Sequence, residues 1–237
     1  MVVVVAACAQ PSAPGPPGPE AVLAGWQLTL PVPGAGGGAA IVNPAAVSPP
    51  WLTTDAAGAL VFWAPVAGVT TPHSPHARTE LDRLDDFTAG GGSQTLTATV
   101  TVSQVPAEVP EVIVGQIHGA AAISSVPFVM IFYGNGAVRA VVKQEQSGDA
   151  HTDVPLLTGV PLGTSFDYTI TDGGDGTLGF TARSAGRTAT GSAPVPAAFA
   201  GAPVRFQAGA YQQAPSSPTA APDDGARVTF SAITVTQ

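Results

Sequence analysis

The stretch Thr95-Leu96-Thr97-Ala98-Thr99-Val100-Thr101-Val102 alternates threonine with apolar or small residues. Successive side chains of a β-strand point to opposite faces of a sheet, so this period predicts a strand with one buried and one exposed face. Little of the chain shows the i, i+3, i+4, i+7 spacing of a long amphipathic helix. The sequence therefore predicts an all-β fold.

Apolar segments separated by turn residues continue this pattern on both sides. Residues 128–133 and 137–142 flank Gly134-Asn135-Gly136, which is a strong hairpin signal. A second hairpin is predicted around the glycine-rich residues 172–176. About ten strands at spacings of roughly 8–12 residues, without an internal repeat, predict a single-domain, two-sheet sandwich of the jelly-roll kind.

The charge and hydropathy of the chain limit its partners. The net charge is −8, and Lys143 is the only lysine beside seven arginines. Phosphate binding needs clustered Lys and Arg, so no nucleic-acid partner is expected. No apolar run approaches the roughly 18 residues of a membrane span. An anionic polymer would have to be held by the local field of a cleft.

The N-terminal residues 1–24 differ in composition from the predicted domain, residues 25–237. Residues 2–5 are valines and precede Ala6-Ala7-Cys8, which resembles the end of a bacterial lipoprotein signal. The run is short and lacks a basic start, so either the signal is truncated or the likeness is accidental. Residues 10–20, rich in proline and glycine, predict a flexible tether. We expect an extracellular monomer, either free or lipid-anchored at Cys8, the only cysteine.

Three short polar segments lie in stretches with strand character: Arg78-Thr79-Glu80-Leu81, Gln116-Ile117-His118 and residues 206–213. They are far apart in the chain, so only the fold can bring them together. Strand alternation places the polar residues of each segment on one sheet face. We predict a groove on a concave sheet face lined by Arg78, Gln116, His118, Gln207 and Tyr211. By the same alternation Glu80 lies on the side of Arg78, and Gln213 shares a face with Tyr211.

At these segments the chain resembles the alginate lyases of polysaccharide lyase family 7. The similarity runs from residue 26 to residue 235 and also includes residues 26–31, 61–66 and 225–230. Three motifs in order, with matching flanks, are far more specific than any one alone. The resemblance implies a lyase that cleaves a 1,4-linked uronate chain, alginate or a related polyuronate, to unsaturated oligosaccharides.

β-Elimination on a uronate explains why these residue types occur together. The sugar carries an acidic C5–H beside its carboxylate and a leaving oxygen at C4. Arg78 and the Gln116 amide are predicted to neutralise the carboxylate, so that the developing anion is stabilised. His118 and Tyr211 are the predicted proton-transfer pair. The resemblance implies that Tyr211 protonates O4 and is also the base for mannuronate, whereas His118 is the base for guluronate. It also associates isoleucine, as at Ile117, with guluronate-containing blocks.

Further side chains are predicted to bind substrate. Glu80 is expected to orient Arg78 through a salt bridge, and His76, two residues earlier, is expected to line the cleft. The other predicted substrate-binding residues are Arg205, Gln207 and Gln213. His73, His76 and His151 lack the spacing of metal ligands, so neither a metal nor another cofactor is expected.

The chain departs from the family pattern in the groove. The family usually has tyrosine at position 205, lysine at 207 and arginine at 82, where this chain has Arg205, Gln207 and Asp82. The loss of cationic residues predicts weaker binding of a polyanion or a shifted preference, which Arg205 and Arg83 partly offset. A lyase of another polyuronate, such as glucuronan, is therefore an alternative.

Two other function classes remain open at the level of sequence. A non-catalytic carbohydrate-binding jelly roll would explain the groove but not the proton-transfer residues. A glycoside hydrolase would need two carboxylates about 5–9 Å apart. Residues 80–84 begin like the Glu-x-Asp-x-Glu strand of one such family, but Leu84 leaves the pair incomplete.

Overall fold

The computed structural model describes residues 22–237. Sixteen strands in this part of the chain form two antiparallel sheets. The nine-stranded sheet contains β1 (Trp26–Pro33), β2 (Ala39–Val42), β5 (Arg78–Arg83), β6 (Phe87–Thr88), β8 (Glu111–Gly119), β9 (Pro127–Gly134), β10 (Ala137–Lys143), β11 (His151–Leu157) and β15 (Pro203–Gln212). The seven-stranded sheet contains β3 (Leu52–Thr54), β4 (Leu60–Pro65), β7 (Gln94–Gln104), β12 (Ser165–Asp172), β13 (Thr177–Ser184), β14 (Arg187–Pro194) and β16 (Gly225–Thr236). Two short 3₁₀ helices, Pro44–Ala46 and Ala121–Ile123, lie in connections.

The alternating stretch lies within β7, near the centre of the seven-stranded sheet. The spatial order of that sheet is β14-β13-β12-β7-β16-β4-β3. Leu96, Ala98, Val100 and Val102 are buried, while the threonines between them face outward. The predicted period is therefore confirmed.

The core fills the space between the two sheets. Phe128 stacks on Phe199 with ring centroids 4.3 Å apart, and Tyr133 lies 5.8 Å from Phe166. These rings belong to one continuous apolar cluster that draws on strands of both sheets. The predicted all-β jelly-roll sandwich is confirmed.

The predicted hairpins are present, but the number of strands was underestimated. β9 and β10 pair around Asn135 and Gly136, whose φ angles of 50° and 72° suit a two-residue hairpin turn. β12 and β13 form the second hairpin. Additional strands such as β11 and β14 lie at sheet edges and are largely exposed. Half-exposed edge strands carry too few apolar residues to give a clear signal.

The nine-stranded sheet brings the three polar segments together. Its spatial order is β11-β10-β9-β8-β15-β5-β1-β2, and the ninth strand, β6, pairs with β15 outside this order. The strands that carry Arg78, Gln116 and Tyr211 are thus direct neighbours, although they are far apart in the sequence. Between residues 22 and 237, no helix is long and apolar enough to cross a membrane. Cys8 and the predicted tether lie outside the described residues.

Candidate functional site

Two cavities lie side by side on the outer face of the nine-stranded sheet and share Tyr211 and Pro127. One has a volume of about 360 Å³ and lies over β1, β5, β15 and the end of β8; it is called the Asp82 half. The other, of about 560 Å³, lies over β8 to β11 and is called the Phe132 half. Together they form a groove that crosses the strands. The predicted polar residues line its centre.

A bulge in β8 determines which of its residues face the groove. Gln116 and His118 share the outer face, as alternation predicts. Ile113 faces the same side, which strict alternation does not allow, because the register with β9 shifts between Ile113 and Gly115. A Cβ on Gly115 would lie 2.3 Å from the Tyr168 hydroxyl oxygen, so the bulge needs glycine here.

Arg78 is fixed between a carboxylate and an aromatic ring. Its Nη1 donates to Glu80 Oε2 at 2.9 Å, which confirms the predicted ion pair. Its guanidinium carbon lies 3.5 Å from the Tyr211 ring centroid, in cation–π contact. Glu80 is fully buried and does not line either cavity. Its contacts therefore position Arg78, and the predicted direct contact of Glu80 with substrate is not supported.

A chain of hydrogen bonds connects four strands beneath the groove. Gln116 Nε2 donates to Glu80 Oε1 at 2.7 Å and to Gln207 Oε1 at 2.8 Å. Gln207 Nε2 donates to Asp82 Oδ1, and Thr29 Oγ1 donates to Asp82 Oδ2 at 2.9 Å. Both amide hydrogens of Gln116 are thus already used. Gln116 holds the network together in this arrangement, and Arg78 is the group with free donors toward a carboxylate.

Burial changes the protonation of the carboxylates in this network. It raises the pKa of Glu80 to about 7, although Arg78 acts in the opposite direction. Burial also raises the pKa of Asp82, against the hydrogen bond from Thr29 and the charge of Arg78. Within the described residues, Arg78 Nε and Gln116 Oε1 are buried without a hydrogen-bond partner. The polar atoms at the centre of the groove are therefore only partly satisfied by the protein.

His118 is neutral and has one free ring nitrogen. Its Nδ1 lies 3.1 Å from the Gly119 carbonyl oxygen, which can only accept, so Nδ1 carries the proton. Burial lowers the pKa of His118 to about 4, assisted by the charges of Arg78 and Arg205. Nε2 is then an unprotonated acceptor at neutral pH. Nε2 is thus free to accept a proton, although the lowered pKa makes it a weaker base than an ordinary imidazole.

Tyr211 stands at the boundary between the two halves. Its hydroxyl shares a hydrogen bond of 2.7 Å with Ser74 Oγ, on the connection between β4 and β5. His76 packs edge-on to the Tyr211 ring, with centroids 6.1 Å apart, and its Nδ1 contacts the Ala214 carbonyl oxygen at 3.0 Å. Ser74 was not predicted from the sequence, since one serine in a loop carries no pattern.

The remaining predicted binding residues are divided between the two halves. Arg205 lines the Asp82 half, where its Nη2 contacts Asp86 Oδ1 at 3.0 Å. Gln207 lines the same half, whereas His76 and Gln213 line the Phe132 half. The side-chain Nε2 of Gln213 donates to the Tyr211 backbone carbonyl oxygen at 3.0 Å. Arg83 was predicted to replace, in part, the cations missing from the groove. It does not line either cavity, so this prediction is wrong.

The Phe132 half has an apolar floor that the sequence reasoning missed. Ile113, Met130 and Val141 form a small cluster on the outer sheet face, against which Phe132 and Tyr211 pack. The Arg139 guanidinium carbon lies 4.3 Å from the Phe132 ring centroid. Strand alternation in β9 places Met130 and Phe132 on one face, but it does not show whether that face lies in the core or in a groove. In residues 22–237, no group of three or more His, Cys, Asp or Glu side chains is placed to hold a metal ion.

Comparison with known proteins is consistent with this geometry. The family model described as alginate lyase matches residues 22–237. The structure is similar to an alginate lyase from Pseudomonas aeruginosa, with a TM-score of 0.77 and 26% identity over 90% of this chain and 98% of that one. It is also similar to alginate lyase A1-II′, a member of polysaccharide lyase family 7, with a TM-score of 0.74 and 26% identity over 90% of this chain and 95% of that one. A search of curated protein sequences gave no match.

Proposed function

The chain belongs to the alginate lyase family and is a polysaccharide lyase, and we propose that it cleaves 1,4-linked uronate chains, alginate first among them, by β-elimination. One observation carries the proposal. A neutral histidine with a free Nε2, a tyrosine and a fixed guanidinium line the same cavity, and the guanidinium lies against the tyrosine ring. This is the set of groups that the elimination needs.

Arg78 supplies the first requirement, which is neutralisation of the uronate carboxylate. A carboxylate resists the extra negative charge that builds up when C5 loses its proton. A guanidinium already held in place by Glu80 stabilises that charge without reorganisation during the reaction. Gln116 and Gln207 fix the geometry of Glu80 and thereby of Arg78.

His118 and Tyr211 supply the two proton transfers. The base takes the proton from C5, the electron pair forms the C4–C5 double bond, and the C4–O4 bond breaks. The departing O4 takes a proton from the Tyr211 hydroxyl. With guluronate His118 Nε2 is the base. With mannuronate Tyr211 reacts as the phenolate, takes the C5 proton and then passes that proton to O4. Alginate lyase A1-II′ has been crystallised with a GGMG substrate and a GGG product, which supports an alginate-type substrate for this chain.

The rival functions fit less well. A hydrolase acting through Glu80 and Asp82 would need both carboxylates in contact with the sugar, whereas Glu80 is fully buried, lines neither cavity and is bound to Arg78. Family membership disfavours a non-catalytic binding module. A lyase of another polyuronate remains the second candidate, because Asp82 places a negative charge in a groove for a polyanion.

The experiment is incubation with polymannuronate, polyguluronate, glucuronan and mixed alginate, with the ultraviolet absorbance of the unsaturated product followed over time. We expect product from at least one alginate polymer. Reducing ends without that absorbance would indicate hydrolysis, and tight binding without product would indicate a binding module. Product from glucuronan alone would select the second candidate.

A variant tests the division of roles between the two proton-transfer residues. His118→Ala should reduce polyguluronate cleavage much more than polymannuronate cleavage, because only the first reaction uses the imidazole. Equal losses on both polymers would contradict the assignment of His118 as the guluronate base.

We also propose that the enzyme acts outside the cell, where such polymers occur, either free or anchored through Cys8. Expression of the full precursor and its Cys8→Ser variant in a bacterial host, followed by membrane fractionation, tests the anchor. Membrane association that the variant loses supports it. The same soluble distribution of both proteins contradicts it.

A further inference from the structure

Asp82 places a carboxylate in the floor of the Asp82 half, where the groove would receive a polyanion. It lies opposite Gln27 of β1 and Gln207 of β15 in the sheet register, on the same strand face as Arg78. Only 6% of its surface is exposed, but it lines the cavity together with Thr29 and Gln207. It is part of the binding surface of this half.

The contacts of Asp82 hold its carboxylate without neutralising it. Each carboxylate oxygen accepts from an uncharged donor, the Thr29 hydroxyl or the Gln207 amide. Burial raises the pKa of Asp82, whereas these hydrogen bonds and the charges of Arg78 and Arg205 oppose that rise and favour the ionised form. A carboxylate can accept about four hydrogen bonds, so two acceptor sites remain open. Asp82 therefore offers acceptors and no donors to a ligand above it.

The cations of this half are already paired. Arg78 binds Glu80, and Arg205 binds Asp86. Each guanidinium thus already has a carboxylate partner, and neither forms a salt bridge with Asp82. A sugar carboxylate over Asp82 would meet a like charge in a largely desolvated place, which disfavours its binding.

We propose that the subsite floored by Thr29, Asp82 and Gln207 selects an uncharged sugar unit, whose hydroxyl groups donate to Asp82, next to the uronate that is cleaved. This proposal rests on the proposed function. It predicts that the enzyme cleaves uronate chains that also contain uncharged units faster than chains of uronates alone, and it identifies Asp82 as a specificity-determining residue.

The test compares alginate with the same alginate after partial chemical reduction of its carboxyl groups to alcohols. We expect wild-type kcat/KM, per remaining uronate, to rise on the reduced polymer. Asp82→Asn keeps the side-chain shape and removes the charge, so this preference should fall by about tenfold, the value of one hydrogen bond to a charged group. Gln207→Lys, which brings a cation beside Asp82, should shift the preference in the same direction.

Asp223→Asn is the matched control. It makes the same change in net charge at an exposed position and should leave the preference unchanged. If Asp82→Asn and Gln207→Lys both keep the wild-type ratio between the two polymers, the proposal is overturned. If Asp82→Asn does not fold, as shown by its circular dichroism, the Gln207→Lys ratio alone decides.

Binding separates this proposal from the proposed function. In a Tyr211→Phe background without turnover, calorimetry should show tighter binding of partly reduced than of unreduced oligosaccharides. Asp82→Asn in that background should remove the difference. If no polymer yields unsaturated product but this binding difference is found, the elimination assignment fails and the subsite proposal stands. If product forms but the binding difference is absent, only the subsite proposal fails.

Discussion

The two halves of the groove are built in opposite ways. In the Asp82 half, polar side chains are buried and bound to one another in a continuous chain from Thr29 to Arg78. In the Phe132 half, the floor is apolar and the charges stand at the rim, where Arg139 binds Glu111 with two hydrogen bonds of 2.9 and 3.2 Å. The halves meet at Tyr211.

We infer that the Asp82 half stabilises the transition state, whereas the Phe132 half mainly binds the substrate. A buried network fixes the positions of charged groups before substrate arrives, which is what transition-state stabilisation requires. An apolar floor with a half-exposed arginine can bind the apolar face of a sugar ring but cannot stabilise a developing charge as strongly. Changes to the side chains that hold Arg78 should therefore lower kcat, and changes in the Phe132 half should raise KM.

The largest effect is expected at the junction. Tyr211→Phe removes the proton donor while the ring and its contact with Arg78 remain, so kcat should fall by about 10³-fold, within the range for general acid–base groups. The melting temperature should change little, because the hydroxyl bonds only to Ser74. Steady-state kinetics and thermal denaturation measure both quantities.

Ser74→Ala is the control for Tyr211→Phe. It removes the hydrogen-bond partner of the Tyr211 hydroxyl but leaves that hydroxyl in place, so kcat should fall by less than tenfold. Wild-type kcat in Tyr211→Phe would show that another group protonates O4.

Two arginines in cation–π contact with an aromatic ring allow a direct comparison of the halves. Arg78→Lys loses the planar two-pronged donor at the carboxylate, and we expect about a 10²-fold loss of kcat, as for the loss of a preorganised donor. Arg139→Lys makes the same change in the Phe132 half and should raise KM only a few-fold. Similar losses of kcat in both variants would break the proposed separation.

From the sequence it was possible to predict which residues line the Asp82 half, but not how their side chains are hydrogen-bonded to one another. Alternation correctly grouped Arg78, Gln116, His118 and Tyr211, because polar residues at period two are visible without a structure. The pairing of Asp82 with Gln207 and Thr29 was not predictable, since three strands must first be aligned in register. Gln207 was predicted to line the groove, but Asp82 was recognised only as a departure from a family pattern.

The Phe132 half was missed for a different physical reason. Apolar residues such as Met130 and Val141 look the same in a sequence whether they face the core or a groove. The β8 bulge hid Ile113 in addition, because it reverses the face that alternation assigns. Neither feature can be inferred from side-chain chemistry alone.

The bulge itself can be tested at Gly115. Gly115→Ala would push a methyl group into the buried Tyr168 ring, and overpacking of this kind costs about 1–3 kcal/mol of unfolding free energy. Because Gln116 is the next residue, we also expect kcat to fall by about tenfold, the effect of roughly 1.4 kcal/mol in the barrier. Chemical denaturation and kinetics give the two values.

Gly179→Ala on β13 is the matched substitution for Gly115→Ala. A Cβ there would meet only Thr171, at an ordinary 3.8 Å, so stability and activity should both be preserved. If Gly115→Ala is equally harmless, the bulge does not need glycine.

Removal of the aromatic floor should produce a smaller, purely binding effect. Phe132→Ala deletes apolar contact area in the Phe132 half, and the loss of about 1 kcal/mol of binding corresponds to roughly a five-fold higher KM. Phe132→Leu retains part of the apolar area, so its KM should lie between those of Phe132→Ala and the wild type. A fall in kcat with unchanged KM would place Phe132 in the chemistry instead of in binding.

The smallest effect concerns the pH dependence of His118. Burial lowers the pKa of His118 to about 4, so its ring stays neutral between pH 5 and 6.5. The fraction of enzyme with a neutral imidazole should therefore change less than twofold over this range. If the pKa of His118 were the ordinary 6.5, the same fraction would change more than about tenfold. The unfolded chain binds this proton at higher pH than the native one, so His118 lowers stability as pH falls from 6.5 toward 4. A ring-carbon NMR titration, assigned by the signal lost in His118→Gln, measures this group separately from Glu80. A midpoint near 6.5 would show that the His118 ring is exposed to solvent. His118 would then not share the buried environment of the hydrogen-bond network in the Asp82 half.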